Sequence, residues 1–393
     1  MITVKTAINI VKDTISETSK QIVLNVEDSI GYILSEDVYS PINMPPFRQS
    51  AMDGYALNTY NETQYKLVGE VKAGDCHNPC LNKGEAVRIF TGAAVPDTAN
   101  AVVMQEKVER IDGFILINSE IQNSENIRPL GEQIKKGELA LKKNIKITAS
   151  GIGFLQSLGI TKIKVFQKPT IGIIVTGNEL IEPGEKLSHG QIYESNGVML
   201  KSALFSLGYT KINQYKTEDD YKKTLTKIEN ALQNNNLVLI SGGISVGDYD
   251  FVGKALLELG VEQLFYKVKQ KPGKPLFFGK TNKSVVFALP GNPASALSCF
   301  YNYVYIALNQ LCGDTNTELH RLKAKSHTSY AKKGDRAQFL KAYYKNGFVE
   351  ILEGQASSML NTFAIANAFV FVPEDLFEIK KNDEVEVILI PQS

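Results

Sequence analysis

Residues 237–251, LVLISGGISVGDYDF, combine residue types that could bind an anion and a cation side by side. An apolar run, small residues and a second apolar run are typical of a buried strand, a turn and a helix. Glycines there would open backbone N–H groups to an anion, and the following acids could hold a divalent cation. The candidate binding residues are Ser241, Gly242, Gly243, Ser245 and Gly247, and the candidate metal ligands are Asp248 and Asp250. A glycine-rich turn without a ligand is the alternative interpretation.

Two other polar loops follow strand-like runs. One contains Thr176, Gly177, Asn178 and Glu179, and the other is the segment Pro290-Gly291-Asn292-Pro293. Loops at the carboxyl ends of parallel strands meet at one edge of a sheet, so we expect both to lie beside the glycine-rich loop. Each loop could instead serve only as the cap of a helix.

Lysines at 267, 271 and 274 could supply the positive charge that an anionic substrate needs. Lys271 and Lys274 belong to the sequence KPGKP, in which Pro272 and Pro275 would stiffen the segment. Ammonium groups held in a stiff loop lose little entropy when they bind a ligand. A solvated surface loop is the alternative for this segment.

The composition indicates a soluble, multidomain globular protein. The chain has 393 residues and a net charge of +1, from 43 basic and 42 acidic side chains, which argues against binding to nucleic acid or a membrane surface. Neither a membrane span nor a signal segment is predicted. Cys76 and Cys80 flank His77, but no second ligand pair stands at zinc spacing, so a solvated loop is expected. A cytoplasmic location with reduced thiols follows as the simplest expectation.

Periodicity divides the chain into four parts. The first, residues 1–45 and 139–167, is predicted to contain helices at 3–19, 27–37 and 148–159 and strands at 21–26 and 162–166. Residues 46–138 have short β-type runs at 65–71, 86–90, 101–106 and 114–117, which indicate an inserted β domain. Strands and helices alternate through 168–312, as in a mainly parallel α/β sheet, with one long helix at 294–311. Residues 313–393 again favour strands, and we predict a small C-terminal barrel or sandwich.

Six motifs occur in an order that resembles a known family. They are SAMDGYA (50–56), RIFTGAAVP (88–96), TGNEL (176–180), SGGISVGDYD (241–250), KPGKP (271–275) and LPGNPASA (289–296). Together they resemble the molybdopterin molybdenumtransferases, the MoeA family, which includes the E domain of gephyrin. The resemblance covers nearly the whole chain. It implies an elongated helical N-terminal domain, an inserted β domain, a molybdopterin-binding α/β domain and a C-terminal β barrel.

The resemblance also implies a reaction and an assembly. Molybdate would be inserted into adenylated molybdopterin with release of AMP, assisted by a divalent cation such as Mg²⁺. The enzyme would be a homodimer whose site lies between the α/β domain of one subunit and the β domain of the other. The enzyme that adenylates molybdopterin and the enzymes that accept the finished cofactor are possible partners.

The family's functional residues can be transferred position by position. The catalytic set so implied is Asp53, Thr91, Glu179, Lys267, Lys271 and Lys274, and Ser357 of the C-terminal part is a substrate-binding residue. Glu179, Asp248, Asp250 and either Asp219 or Asp220 would hold the metal. The sequence departs from the family pattern at Asn178 and Glu132, where aspartate is usual.

Electrostatics supports the implied cation. Asp53, Glu179 and Asp250 would repel one another and an anionic substrate in an empty cleft, and Mg²⁺ would remove that conflict.

Two other functions remain open. A molybdopterin adenylyltransferase would need only the α/β domain, and a scaffold like gephyrin's E domain would need only a binding surface.

Overall fold

The computed structural model describes residues 1–17, 20–60, 63–244 and 251–391. Its contacts divide the chain into two compact units. The larger unit comprises Met1–Ile22, Gly31–Ile33 and Phe166–Ser393, and the smaller unit comprises Val23–Ile30 and Leu34–Val165.

Strands dominate the first 166 residues. In chain order the elements are α1 (Val4–Thr14), β1 (Gln21–Asn25), β2 (Val38–Tyr39), β3 (Gln49–Ser50), β4 (Gly54–Leu57), β5 (Gln64–Val71), β6 (Glu85–Ile89), β7 (Ala101–Met104), β8 (Val108–Ile111), β9 (Phe114–Ile117), β10 (Ile127–Arg128), β11 (Leu139–Leu141), α2 (Ala149–Ser157) and β12 (Lys162–Phe166). The strands predicted near 65–71, 86–90, 101–106 and 114–117 are present as β5, β6, β7 and β9.

A six-stranded sheet, in the order β7-β4-β6-β5-β9-β8, forms the centre of the smaller unit. Strand β4 lies between β7 and β6 and is buried along its whole length. Tyr55 and Leu57 enter a core on one face, whereas Ala56 enters a core on the other. This alternation follows from the two-residue period of a strand, and it fixes where the preceding SAMD loop emerges.

The prediction of a helical N-terminal domain was wrong. Segments 1–45 and 139–167 contain the helices α1 and α2, but the other elements are strands and short turns. Of the helix predicted at 27–37, only the first two residues are helical, as the end of a single 3₁₀ turn, Val26–Asp28. Gly31 has a φ of +72°, and Leu34 forms a β-bridge with Val165. The apolar residues of this segment therefore belong to extended chain and not to a helix. Helix α1 contributes Val4, Ala7, Ile8 and Val11 to the main core of the larger unit.

Alternating strands and helices build the α/β part of the larger unit. They are β13 (Ile171–Thr176), β14 (Leu180–Ile181), β15 (Ile192–Tyr193), α3 (Asn196–Ser206), β16 (Ile212–Thr217), α4 (Tyr221–Asn234), β17 (Leu237–Ser241), α5 (Phe251–Glu258), β18 (Glu262–Lys267), β19 (Gln270–Lys271), β20 (Pro275–Lys280), β21 (Val285–Leu289), α6 (Pro293–Cys299) and α7 (Tyr305–Leu311). The sheet has the order β16-β13-β17-β21-β20-β18. The first four strands pair in parallel, and β20 runs antiparallel to both of its neighbours, β21 and β18. The predicted mainly parallel sheet is confirmed.

The long helix predicted at 294–311 is interrupted. A π-helical segment, Phe300–Val304, separates α6 from α7, and most of this run is buried. Its apolar character therefore reflects packing in the protein core. Nowhere in the described part of the chain is a helix both long and apolar enough to cross a membrane.

The C-terminal strands close into a barrel. They are β22 (Arg321–Ser326), β23 (Tyr330–Ala331), β24 (Ala337–Lys345), β25 (Phe348–Ile351), β26 (Ala368–Val372), β27 (Glu378–Ile379) and β28 (Glu384–Leu389). Five of these strands form the barrel, since the order β24-β25-β22-β28-β26 returns to β24 through a further β24–β26 pairing. Strands β23 and β27 pair with each other in a separate two-stranded sheet. Strand β19 of the α/β part runs parallel to β24 and joins the same sheet. The predicted barrel is confirmed.

Candidate functional site

The carboxyl ends of four parallel strands form one edge of the α/β sheet. Lys216, Val175, Ser241 and Leu289 lie in one row across β16, β13, β17 and β21. The loops that follow these residues therefore emerge together, as the sequence predicts. They carry Asp219, Gly177, Gly242 and Gly291 to this edge, which we call the strand-end site.

A threonine and an aspartate join the first two loops. The Thr176 hydroxyl donates to Oδ1 of Asp219 at 2.8 Å, and the Asn178 N–H donates to Oδ2 at 3.2 Å. The Asp219 N–H donates in return to Oδ1 of Asn178 at 3.0 Å. Asn178 therefore provides the acceptor that the family's usual aspartate could provide, with one negative charge fewer.

Asp219 and Asp220, which the sequence could not separate, have different roles. Asp220 is the N-cap residue of α4, and its side chain accepts from the Lys223 N–H. Asp219 lies against the strand-end loops through Thr176 and Asn178. The structure thus places Asp219 at the strand-end site, and uses Asp220 to begin a helix.

The glycines of the β17 loop permit close packing of the loops. A Cβ atom at Gly242 would lie 2.6 Å from the carbonyl oxygen of Thr176, and Gly242 has a φ of +94°. Gly243 would meet the side chains of Thr176 and Val252 in the same way. A Cβ atom at Gly291 would lie 3.8 Å from the Cα atom of Gly242, an ordinary van der Waals contact. A larger residue at 242 would therefore separate the loops.

Asn196, the first residue of α3, ties two of these loops together. Its Nδ2 group donates to the Ser241 hydroxyl at 2.8 Å and to the Gly291 carbonyl at 2.7 Å. The sequence analysis missed this residue. An asparagine just after a serine, at the start of an apolar helical pattern, is the only local signal, and it equally fits an ordinary helix start.

The barrel also reaches the strand-end site. Nδ2 of Asn292, in the loop after β21, donates to the Ser357 hydroxyl at 3.0 Å. These residues were assigned to substrate binding separately, and the structure brings them together. Pro290 ends β21, and Pro293 begins α6.

Two of the three predicted lysines, Lys267 and Lys274, lie near the same edge. Strand β20 runs antiparallel to β21 with Phe277 opposite Ala288, so its first residue, Pro275, lies close to the end of β21. Lys267, the last residue of β18, pairs with Pro275, and Lys274 directly precedes it. Lys271 belongs to β19. Lys271 and Lys274 are exposed and Lys267 is half-buried.

Buried contacts hold the KPGKP segment. Gly273, with a φ of +80°, leaves no space for a Cβ atom, which would lie 2.4 Å from the Cys299 sulfur. Gln270 donates to the Gly273 carbonyl at 2.8 Å and accepts from the Tyr303 hydroxyl. Burial raises the pKa of the Cys299 thiol to about 12, so this cysteine is an unreactive packing group. The KPGKP loop is therefore fixed by buried contacts and is not a freely solvated segment.

A basic cavity of about 800 Å³ adjoins Gly177 and Asn178. Four lysines contribute to its wall: Lys216, Lys222, Lys223 and Lys227. Lys216 pairs with Glu182 at 3.0 Å, and Lys223 pairs with Glu218 at 2.6 Å. The apolar face of α4 was predicted from the sequence, but its basic face was not, although the spacing of the lysines could have revealed it.

Asp53 and Thr91 form a separate cluster in the smaller unit. The Thr91 N–H and hydroxyl both donate to Oδ1 of Asp53, at 2.7 and 2.6 Å. The hydroxyl bond, helped by the N–H bond and the charge of Arg88, lowers the pKa of Asp53 from its ordinary value. Asp53 is exposed, so the protein presents an ionised carboxylate to solvent at neutral pH.

Arg88 and Gly54 keep this carboxylate in place. Arg88 donates to the Gly54 carbonyl at 3.0 Å and to the Gln105 side chain, and stacks on the rings of Tyr55 and Phe90. A Cβ atom at Gly54 would lie 1.9 Å from the Val103 carbonyl, so only glycine fits after Asp53. The motifs SAMDGYA and RIFTGAAVP therefore form one structural module.

The predicted metal ligands are only partly described. Glu179 is exposed, and its carboxylate lies over Gly177, where a Cβ atom would be 2.8 Å from Oε2. Asp248 and Asp250 lie outside the described residues, as do Ser245 and Gly247. Within the residues that are described, no three acidic, histidine or cysteine side chains form a group that could hold a metal ion. Carboxylates are the ligand type that Mg²⁺ prefers, but the described acids do not complete a site.

Comparison with known proteins now identifies the family. Three models match along the chain: the MoeA N-terminal region (domains I and II) at residues 2–159, the probable molybdopterin binding domain at 172–310, and the MoeA C-terminal region (domain IV) at 323–390. The molybdopterin molybdenumtransferase of Staphylococcus epidermidis is 32% identical over 383 residues, which cover 94% of this chain and 91% of that protein. The chain belongs to the molybdopterin molybdenumtransferase family.

Other members of the family agree in sequence and in structure. The molybdopterin molybdenumtransferase of Haemophilus influenzae is 33% identical over 374 residues, covering 93% of this chain and 92% of that protein. Two structures of the molybdopterin biosynthesis MoeA protein of Pyrococcus horikoshii superpose with TM-scores of 0.84 and 0.86 at 32% and 30% identity. They cover 99% of this chain and 99% and 100% of theirs.

Proposed function

We propose that this protein inserts molybdate into adenylated molybdopterin and releases AMP, the last metal-loading step of molybdenum cofactor biosynthesis. The observation that carries the proposal is the contact between Ser357 of the barrel and Asn292 of the α/β part. An adenylyltransferase made of the α/β domain alone would have no such barrel residue at its strand-end loops. Family membership over nearly the whole chain supports the same choice.

The proposed substrates require positive charge at the strand-end site. Molybdate and the phosphates of the adenylated pterin are anions, and Lys267, Lys271 and Lys274 would offset their repulsion at the strand-end site. The basic cavity beside Asn178 suits a further phosphate, since Lys222 and Lys227 add charge there. Backbone N–H groups of the loops that contain Gly242 and Gly291 would bind an anionic oxygen of the substrate.

Bond changes in the proposed reaction are limited. The two dithiolene thiols of the pterin form two bonds to molybdenum and give up their protons to one molybdate oxygen, which leaves as water. A second water adds to the phosphoanhydride, so that AMP departs and the phosphate stays on the pterin. Glu179 and Asp219, with Asp248 and Asp250, would hold Mg²⁺, which would polarise the phosphate. The chain's lysines and loop N–H groups bind and orient both anions.

Asp53 and Thr91 would act in a homodimer. By resemblance, the smaller unit's module would meet the strand-end site of the partner subunit, where an ionised carboxylate could orient water or metal-bound groups. The adenylating enzyme would deliver the substrate, and molybdenum enzymes would take the product. A cytoplasmic location remains the expectation.

An assay of the purified protein tests the proposal. Adenylated molybdopterin, molybdate and Mg²⁺ should give AMP and active cofactor in equal amounts. Lys271→Ala and Lys274→Ala should slow AMP release by roughly 10²–10³-fold at both low and high salt if they stabilise developing charge. Lys283→Ala, in the turn before β21, is the control. Formation of adenylated product from ATP and molybdopterin alone would favour the adenylyltransferase, and absence of both activities would favour a scaffold.

A further inference from the structure

A buried lysine lies in the wall of the barrel. Lys341 of β24 is only 3% exposed, and its ammonium group donates to the carbonyls of Gly354 at 2.7 Å and Met359 at 2.8 Å. A longer contact of 3.4 Å reaches the Ala356 carbonyl. No ion pair to Lys341 exists among the described acids, and burial lowers the pKa of its ammonium group. The charge is therefore balanced by the carbonyl dipoles of one loop and by the ring of Phe363 just beyond it, whose centroid lies 5.6 Å from the ammonium nitrogen.

The acceptors all belong to the segment 353–362, which we call the carbonyl loop. Burying an ammonium ion is costly unless several acceptors surround it, so the loop and the lysine must keep their places together. Gln355 adds two bonds, accepting from the Lys341 N–H at 3.0 Å and donating to the Lys341 carbonyl at 2.8 Å. The buried Thr362 hydroxyl donates to the carbonyls of Glu353 and Gly354.

The carbonyl loop also carries Ser357, whose hydroxyl meets Asn292 at the strand-end site. We propose that Lys341 is a positioning residue, which orders the carbonyl loop so that Ser357 can serve the substrate of the proposed reaction. This inference rests on the proposed function for its catalytic consequence, but the ordering of the loop can be measured without it. The sequence gives no hint of this role, because a lysine inside a strand resembles a solvent-facing residue.

Lys332 offers a matched control in the same barrel. It is 7% exposed, and its ammonium group donates to the carbonyls of Pro373 and Glu374, both at 2.7 Å. These acceptors lie in a different loop, which does not contain Ser357. Replacing either lysine by methionine removes a buried charge with its carbonyl bonds, but only Lys341→Met should disturb the carbonyl loop.

The experiment measures hydrogen exchange and AMP release on the full-length protein. In Lys341→Met, amide exchange across residues 353–362 should become at least about tenfold faster, whereas Lys332→Met should leave it unchanged. The kcat for AMP release should fall about tenfold in Lys341→Met and in Ser357→Ala, the loss expected for one substrate hydrogen bond. The double variant should be no slower than either single variant, because both remove the same contact.

Other outcomes would overturn the inference. Unchanged exchange in the carbonyl loop of Lys341→Met, or kinetic losses that multiply in the double variant, would show that Lys341 does not act through Ser357. If Lys341→Met does not fold, Thr362→Val loosens the same loop without touching the charge and must give the same two results. If the wild-type protein releases no AMP, the proposed function fails, while the exchange result still decides whether Lys341 orders the loop.

Discussion

Asp53 in the smaller unit and Asp219 in the larger unit are both held by a threonine, yet in different ways. Both donors to Asp53 come from Thr91 and reach the same oxygen, Oδ1. Asp219 receives the Thr176 hydroxyl on one oxygen and the Asn178 N–H on the other. Among the described residues, Oδ2 of Asp53 therefore accepts no hydrogen bond, whereas each oxygen of Asp219 accepts one.

This difference indicates that Asp53 is available to bind a ligand, whereas Asp219 has a structural role. Asp53 is exposed, ionised and aimed by a rigid turn, which suits direct contact with substrate, water or a metal-bound group. Asp219 uses part of its hydrogen-bonding capacity to join two strand-end loops. It can still offer lone pairs to a cation, but its removal should first disturb the loops. Four variants test this comparison.

Asp53→Asn should produce the largest loss of activity. The substitution keeps the size of the side chain and an acceptor for Thr91, but it removes the charge. We expect kcat for AMP release to fall roughly 10²–10³-fold with only a small fall in Tm, as for loss of a group that acts in the transition state. Glu109→Gln, which removes an exposed acid of β8 in the same sheet, should retain wild-type kcat. A fall in kcat smaller than about fivefold would show that Asp53 serves only to form the turn.

Asp219→Asn should combine a moderate loss of activity with a loss of stability. An amide can keep one acceptor but would turn an N–H group toward either Thr176 or the Asn178 N–H. We expect about 1–2 kcal/mol lower stability by denaturant unfolding and a fall of about tenfold in kcat. Asp220→Asn is the control, since asparagine caps helices as well as aspartate does. Loss of activity at full stability would instead assign Asp219 directly to the chemistry.

Much of the larger unit could be predicted from local patterns. The apolar runs of β13, β17 and β21 are buried strands with polar loops at their carboxyl ends, and parallel pairing makes such loops meet. The strand-like runs of the C-terminal part likewise predicted a barrel or sandwich, and the family resemblance indicated the barrel. In these cases the residues next to one another in sequence determine which face is buried.

Contacts between distant residues could not be predicted in this way. Thr91 meets Asp53 across 38 residues, and Asn292 meets Ser357 across 65. Resemblance supplied these residues as single positions, but only the fold pairs them. Asp219 and Asp220 differ by one position, and which side chain turns inward depends on where α4 begins. The helix predicted at 27–37 failed because Gly31 at positive φ ends any helical path.

Thr91→Val should have a smaller effect than either aspartate variant. Loss of the hydroxyl bond, the main cause of the lowered pKa of Asp53, should move that pKa back toward 3.8, as a carboxyl NMR titration can show. Because folding lowers the pKa of Asp53, its ionised carboxylate stabilises the folded protein. This stabilisation is fully present above the unfolded-state pKa and is lost as pH falls through the folded-state pKa. The Tm of Thr91→Val should therefore lie below wild type at neutral pH, and the gap should narrow in strong acid. Equal Asp53 titrations in the two proteins would contradict this account.

Asn178→Asp should have the smallest effect, and it tests whether a cation belongs beside Asp219. The new carboxylate keeps the acceptor for the Asp219 N–H, but it places a second negative charge next to the first. Without divalent ions, repulsion between partly exposed charges should lower stability by less than about 0.5 kcal/mol, and salt should reduce the loss.

Magnesium should reverse the sign of that effect. If Asp219 and Glu179 contribute to a cation site, a further carboxylate strengthens it, and Mg²⁺ should raise the Tm of Asn178→Asp more than that of wild type. Asn282→Asp, which adds the same charge in the turn before β21, should show no specific response to Mg²⁺. Equal Mg²⁺ responses in all three proteins would remove Asp219 from the metal site and leave it as the link between two strand-end loops. Asp53 would then be the stronger candidate for direct participation in the reaction.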